Sequence, residues 1–298
     1  MQEKFTLRTQ NKTGYSLKRF ALLGEPLGHS MSPALHKSIY RQLEIDDASY
    51  RTVELPQERL KSFFSGFKVG GFDGVNVTTP HKASIIDLLD EVDSKAQLLN
   101  AVNCVNRTGN QLTGYNTDLL GFGYSLEQNN VDIEGNQFAI IGAGGSAQAV
   151  GAVLAEGEAK KVSIVNRTPE RAEELKSTIL SVNDSIDVQL VTAQELANES
   201  KDLDCVVNTT SVGMSPNVKD TPLPKDFFSA NTLAFDLVYN PLETQFLKDA
   251  KEQGASVVNG VQMLVAQAVY SVEIWMGGNI VAHVDMNALV RDLEKTIK

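Results

Sequence analysis

Residues 138–171 read FAIIGAGGSAQAVGAVLAEGEAKKVSIVNRTPER, and this stretch decides the fold. Phe138 to Ile141 is an apolar run of the length of one buried strand. Gly142, Gly144 and Ala147 follow with G-x-G-x-x-A spacing, a helical pattern continues to about Glu156, and Val162 to Val165 reads as the next strand. Strand, glycine turn, helix and strand make a βαβ unit. Gly142 permits the sharp turn, Gly144 lets the backbone approach a pyrophosphate, and Ala147 keeps the helix close to the sheet. The helix start then offers free N–H groups to phosphates. A glycine turn in an ordinary α/β core is the plain alternative.

The end of the second strand selects the nucleotide. An NAD site puts Asp or Glu there for the ribose 2′-OH. Here the chain reads Asn166-Arg167-Thr168-Pro169-Glu170-Arg171, with two cations and no carboxylate at the strand end. Thr168 and Pro169 read as N-cap and N1 of a helix, which puts Arg171 in its first turn. This set favours NADP over NAD.

The rest of the chain alternates strand and helix, so 298 residues divide naturally into two α/β domains. The reading is residues 1–118, then 119–257 as the nucleotide domain, with helices in 258–298 returning to the first domain. Net charge is −10 and pI about 5.0, which disfavours nucleic acid or an anionic membrane as partner. Two distant cysteines, Cys104 and Cys205, fit a reducing cytoplasm and give no disulfide framework. The four histidines have no ligand spacing, so no metal is expected. The polar lead-in over 1–17 has no signal-peptide core, and no apolar run reaches membrane-span length. Monomer and homodimer both stay open.

Outside the nucleotide unit, polar residues gather at strand ends. Phe20 to Leu23 is a strand followed by GEPLGHSMSPALH, where Ser32-Pro33 reads as N-cap and N1 of a helix over about 33–43. Ser30 and Ser32 thus sit on a strand-to-helix loop. Phe72 to Val77 is a strand running into NVTTPHK, then an apolar helical pattern to Leu89. Thr78 stands at the strand end and Lys82 at the entrance of that helix, where the dipole disfavours a cation. Residues 102–107 and 111–115 read as a hairpin across Thr108-Gly109-Asn110, with Asn103 in its first strand. Asn116-Thr117-Asp118 precedes a helix over about 119–129. Tyr239 is read as exposed at a strand end, and Gln267 is an unusual polar residue on the apolar helix 261–276. Hydroxyls and amides with one cation and one anion suit a small polyol. A reducible nucleotide beside it implies alcohol oxidation or ketone reduction.

Together these motifs resemble the shikimate 5-dehydrogenase (shikimate/quinate dehydrogenase) family over nearly the whole chain. GEPLGHSMSPALH resembles its substrate loop and NVTTPHK its lysine motif. AVN and YNTD resemble its Asn and Asp motifs, GAGGSAQA with NRTPER its NADP site, and MLVAQA its glutamine motif. The resemblance implies NADP-dependent reduction of 3-dehydroshikimate to shikimate in chorismate biosynthesis, with Lys82 and Asp118 as the catalytic pair. Ser30 and Ser32 would hold the substrate carboxylate, and Thr78, Asn103, Asp118 and Gln267 its hydroxyls, with Tyr239 nearby. Gly142, Ala143, Gly144, Gly145, Ser146, Ala147, Asn166, Arg167, Thr168, Arg171, Thr209, Val238, Gly260 and Met263 would line the cofactor region. The chain departs from the family pattern at Lys37, Asn100, Cys104 and Gln262, all on the substrate side. A quinate/shikimate dehydrogenase with broader substrate and NAD use, and a non-catalytic NADP(H)- or shikimate-binding sensor, are the alternatives.

Overall fold

The computed structural model describes residues 17–28 and 30–297. The lead-in read at 1–17, with its signal-peptide reading, lies outside the described residues save Leu17, and so does His29. Two six-stranded sheets, each between layers of helices, make up the described residues.

The first sheet is built from β1 (Lys18–Gly24), β2 (Ala48–Glu54), β3 (Gly74–Val77), β4 (Glu91–Val92), β5 (Cys104–Thr108) and β6 (Gln111–Tyr115), in spatial order β2-β1-β3-β5-β6-β4. Its helices are α1 (Ser32–Gln42), α2 (Leu60–Val69), α3 (Ser94–Leu98) and, leading out, α4 (Asp118–Gln128). Strands β1, β2 and β3 are parallel, while β5 is antiparallel to β3 and β6. Alternation along β1 sends Phe20 to one face and Ala21 and Leu23 to the other. Helix α2 covers the second face through Leu60, Phe64 and Phe67.

The second sheet is wholly parallel, in order β12-β11-β10-β7-β8-β9. It uses β7 (Gln137–Ile141), β8 (Lys161–Val165), β9 (Asp187–Leu190), β10 (Cys205–Asn208), β11 (Leu233–Asp236) and β12 (Ser256–Val258). Its helices are α5 (Gly145–Glu156), α6 (Pro169–Val182), α7 (Ala193–Glu199) and α8 (Gln245–Glu252). The chain runs outward from β7 in one direction through β8 and β9, then in the other through β10 to β12. The order therefore reverses between β7 and β10, which is where an open α/β sheet opens a ligand crevice.

Two last helices, α9 (Val261–Met276) and α10 (Met286–Thr296), pack with α1 on the first sheet. Trp275 of α9 stacks on Phe20 at 4.5 Å and donates its indole N–H to the Val105 carbonyl at 3.0 Å. The absence of a Cβ at Gly74 makes this possible, because one there would lie 2.3 Å from the indole nitrogen. Leu99, Ala101 and Leu119 meet Ala149 and Ala152 of α5 in an apolar patch between the two sheets' layers. An exposed ion pair, Lys95 to Glu156 at 2.7 Å, bridges α3 and α5 and contributes ~0–1 kcal/mol.

Several elements differ locally from the sequence expectation. The stretch after NVTTPHK holds turns and a short 3-10 segment, Ile86–Leu88, rather than a helix. Its apolar residues are drawn down onto the sheet face with Val102 and Leu112. Helix α1 begins at Ser32 with Met31 as N-cap, so Ser32 does not cap it. Thr168 does occupy the N-cap of α6, but its side chain makes no capping bond; Asn166 Nδ2 donates to the Thr168 carbonyl at 2.8 Å instead. Asn103 precedes β5, and β4 with α3 are elements the sequence reading did not find.

Candidate active site

The loop that carries Lys82 leaves β3 beside the end of β1, and Gly24 makes the room. A Cβ at Gly24 would sit 2.4 Å from the Thr78 methyl. The His81 N–H closes a turn onto the Thr78 carbonyl at 2.9 Å. The buried His81 ring reaches the Leu55 carbonyl at 2.6 Å. The Val102 N–H in turn donates to the Lys82 carbonyl at 2.9 Å. The loop that carries Lys82 is thus held by three hydrogen bonds, two through His81 and one to the Lys82 carbonyl, and by no helix. The dipole misfit expected for it does not arise.

Its ammonium meets Asp118 Oδ2 at 2.5 Å, with side-chain exposures of only 15% and 9% for lysine and aspartate. Asn103 Nδ2 donates to the other carboxylate oxygen at 2.7 Å. Asp118 is the first residue of α4, yet its carboxylate does not cap that helix. Asn116 Oδ1 accepts the Asp118 N–H at 3.0 Å and frees the carboxylate for the cleft. A buried carboxylate bonded by an amide and an ammonium is a stiff arrangement that presents an amine to the solvent side.

The other residues expected at the site lie on the loops after β1, β3 and β11 and on α9. Ser30 Oγ accepts the Ser32 N–H at 3.3 Å on the loop after β1, and both serines are half-buried. Tyr239 follows β11 and is half-buried, not exposed; burial pushes its phenol up, opposed by a backbone hydrogen bond from Met31 between the two serines. The Thr78 hydroxyl makes no hydrogen bond among the described residues and is half-buried beside Lys82. Gln267 is half-buried on α9 and donates to the Leu264 carbonyl at 2.7 Å. It abuts Gly121 of α4, where a Cβ would lie 3.1 Å from the Gln267 Cβ.

The glycine turn lies at the end of β7, where Ile141 pairs with Asn208 of β10. Gly142 has φ +107°, a left-handed value that side chains rarely adopt, and a Cβ there would stand 2.7 Å from Thr209 Oγ1. The Thr209 hydroxyl is already spent on the Ile141 carbonyl at 2.8 Å. Gly144 is the N-cap of α5 and faces open space. Gly145 faces Lys82: a Cβ there would stand 3.2 Å from Lys82 Cδ. The turn on the second sheet and the lysine loop on the first therefore touch. Ala147 is fully buried against the sheet. Arg167 and Arg171 are exposed at the end of β8, and neither forms an ion pair among the described residues. An open cradle at Gly144, a helix start and two unpaired guanidiniums fit a dinucleotide with a 2′-phosphate. Gly260 caps α9 so close to β11 that a Cβ would lie 2.1 Å from the Leu237 carbonyl oxygen, next to buried Val238. Met263 is buried in the nucleotide-side core with Phe122 and Phe235.

A shikimate dehydrogenase (NADP(+)) of Geobacillus sp. is 40% identical over 87% of this chain and 93% of its own length. The chain belongs to the shikimate dehydrogenase family. Residues 22–105 match the shikimate dehydrogenase substrate binding domain, and residues 125–219 match shikimate / quinate 5-dehydrogenase. Shikimate 5-dehydrogenase from Thermus thermophilus, solved in complex with NADP(H) and shikimate, superposes with a TM-score of 0.80 at 33% identity, covering 93% of this chain and 99% of that one. The ligand-free 5-ketofructose reductase of a Gluconobacter species superposes with a TM-score of 0.79 at 30% identity, over 95% and 100%.

The departures from the shikimate dehydrogenase pattern have local explanations. Asn100 stands where the pattern has glycine and takes φ +48°, a conformation asparagine tolerates. Gln262 turns away to accept from Asn129 Nδ2 at 2.7 Å, and Lys37 is exposed on α1. Cys104 is fully buried, and burial pushes its thiol up to about 12. Residues the sequence reading did not single out surround Asn103: Tyr50, Asn76, Thr117 and Ser271. Asn76 opens NVTTPHK, and Thr117 lies in YNTD. Ser271 was findable, being a second polar residue one helical turn after Gln267.

Proposed function

We propose that this protein reduces 3-dehydroshikimate to shikimate with NADPH, reversibly, as a step of chorismate and aromatic amino acid biosynthesis. The observation that carries the reading is the Lys82–Asp118 pair, 2.5 Å apart and packed on Gly145 of the glycine turn. NADPH, when bound, supplies the hydride. Lys82 Nζ gives the proton to the ketone oxygen and takes it back in the reverse direction. Asp118 orients the amine, and Asn103 orients Asp118. Ser30 and Ser32 hold the carboxylate, with Thr78, Asn103, Asp118 and Gln267 reading ring hydroxyls and Tyr239 closing one side. Residues 142–147, Asn166, Arg167, Thr168 and Arg171 hold NADP, with Thr209, Val238, Gly260 and Met263 along its reactive end. The working division is a substrate domain over 1–118, an NADP domain over 119–257, and terminal helices over 258–298 serving the first domain. The protein acts in the cytoplasm as a monomer or homodimer.

A second reading has one observation behind it. The 5-ketofructose reductase relative reduces, by its name, another polyhydroxy ketone. Steady-state rates with 3-dehydroshikimate, 5-ketofructose and, in reverse, quinate separate the readings, each with both nicotinamide cofactors. The first reading expects kcat/KM for 3-dehydroshikimate with NADPH to exceed every other pairing by at least tenfold. A preference for either other substrate would overturn it.

A further inference from the structure

A serine in the middle of α9 is fully buried and touches neither lysine nor aspartate, yet it ends a polar chain that reaches both. Ser271 Oγ donates to the Gln267 carbonyl one turn back at 2.9 Å, a bond common for serine within a helix. Its one proton is thereby used, and the oxygen is left as an acceptor. Asn76 Nδ2 donates to it at 2.9 Å, and Thr117 Oγ1 lies 3.2 Å away. With Ser271 accepting, the Thr117 hydroxyl proton points at Ser271 and the Thr117 lone pairs face Asn103 Nδ2 at 3.0 Å. The Thr117 N–H donates to Asn103 Oδ1 at 2.7 Å, so the amide has one orientation. Its second amide proton then falls on Asp118 Oδ1, leaving Oδ2 for Lys82.

Asn76 braces the other side. Its second amide proton goes to the Asn103 carbonyl at 3.1 Å, and its oxygen accepts from the Tyr50 hydroxyl at 2.9 Å. Tyr50 is fixed by the buried His36 ring stacked on it at 3.8 Å. Asn76, Asn103, Thr117 and Ser271 are all buried, so water does not replace a missing partner cheaply.

We propose that Ser271 is a positioning residue for the Lys82–Asp118 pair, acting through Thr117, Asn76 and Asn103. Without its oxygen the Thr117 proton swings to Asn103 Oδ1, 3.2 Å away, and Asn76 keeps a buried donor with no acceptor. The Thr117 N–H still orients the Asn103 amide, but the amide is drawn toward the turned Thr117 hydroxyl, its bond to Asp118 Oδ1 is displaced, and the amine loses its aim. The proposal rests on the reading of Lys82 and Asp118 given above.

The test is Ser271→Ala in the full chain, which removes one oxygen and adds no volume. Two readouts are taken. With 3-dehydroshikimate and NADPH, kcat falls about tenfold, as expected for a sub-ångström misplacement, while KM for NADPH stays within twofold. Independently of any substrate, acylation of Lys82 by acetic anhydride, followed by peptide mass spectrometry, speeds up at least twofold because the amine is less firmly held. Unchanged Lys82 acylation in the folded variant overturns the proposal, and so does an unchanged kcat. If the wild-type protein fails to reduce 3-dehydroshikimate at all, the functional reading falls, and the acylation rate alone decides the role of Ser271.

Discussion

Asp118→Asn is the substitution whose consequences the geometry fixes most tightly. The carboxylate takes a hydrogen bond on each oxygen, from Lys82 at 2.5 Å and from Asn103 Nδ2 at 2.7 Å. Asparagine has the same shape but only one acceptor oxygen. If that oxygen faces Asn103, its NH2 confronts the Lys82 ammonium; if flipped, its NH2 confronts the Asn103 NH2. Either way one charge-assisted or amide bond becomes a donor–donor contact. Loss of a hydrogen bond to a charged group costs ~1.5–3 kcal/mol. Stranding a fully buried ion costs ~3–5 kcal/mol, but Lys82 keeps 15% side-chain exposure and a route to water, so the lower range applies. Stability measured by urea unfolding should fall by ~1.5–3 kcal/mol. Turnover should fall ~10²–10⁴-fold, since the proton donor is no longer oriented. NADPH affinity, read by fluorescence titration, should stay within twofold, because the arginines and the glycine turn are untouched. A folded variant with kcat within threefold of wild type would refute the assignment of Asp118.

Three further outcomes follow from other parts of the molecule. Neutralising Arg167 and Arg171 together should lower NADPH selectivity over NADH by at least tenfold, each lost charge-assisted bond being worth ~1.5–3 kcal/mol; unchanged selectivity in a cofactor titration removes them from the 2′-phosphate site. Gly145→Ala should leave the fold at least as stable, since alanine favours helix by up to ~1 kcal/mol. The added Cβ, 3.2 Å from Lys82 Cδ, should nonetheless lower kcat several-fold, and full activity would show the contact to be idle. Burial holds the His36 imidazole near 3, so the folded chain refuses a proton that the unfolded chain accepts below 6.5. That contribution is complete above 6.5 and is lost as pH falls toward 3. Asp236 has the opposite sign: burial raises it to about 6, so its contribution is complete below 3.8 and gone above about 6. Relative to His36→Phe, the wild type should therefore lose ~2–3 kcal/mol between pH 6 and pH 4 in urea titrations, at ~1.4 kcal/mol per pH unit. A difference that does not change with pH would contradict this.

The sequence was most informative where one local interaction rules. The βαβ unit was legible because its apolar runs and glycine turn are contiguous, and α9 because Gly277 stops it cleanly at Met276. The stretch from Ala83 to Leu89 misled because its apolar spacing fits a helix while the sheet face below claims those side chains one by one. Met31 rather than Ser32 is the N-cap because its carbonyl accepts the first helical bond, from the Leu35 N–H at 3.0 Å. Lys82, Asp118 and Asn103 could be named as polar residues at element ends, but their meeting depends on β3, β5 and β6 pairing in register. The Gly145–Lys82 contact depends on how two sheets face one another, and no spacing within either motif encodes it. Ser271 and Tyr50 come from opposite ends of the chain, and only Asn76 between them makes a hydroxyl at each position intelligible.

The most direct measurement is the turnover of Lys82→Met, which keeps the stem packed on Gly145 and deletes only the amine. With saturating 3-dehydroshikimate and NADPH, kcat should drop ~10²–10⁴-fold while both ligands still bind within a few-fold of wild type. Wild-type turnover from this variant would contradict the role given to the lysine and, with it, the account of the site.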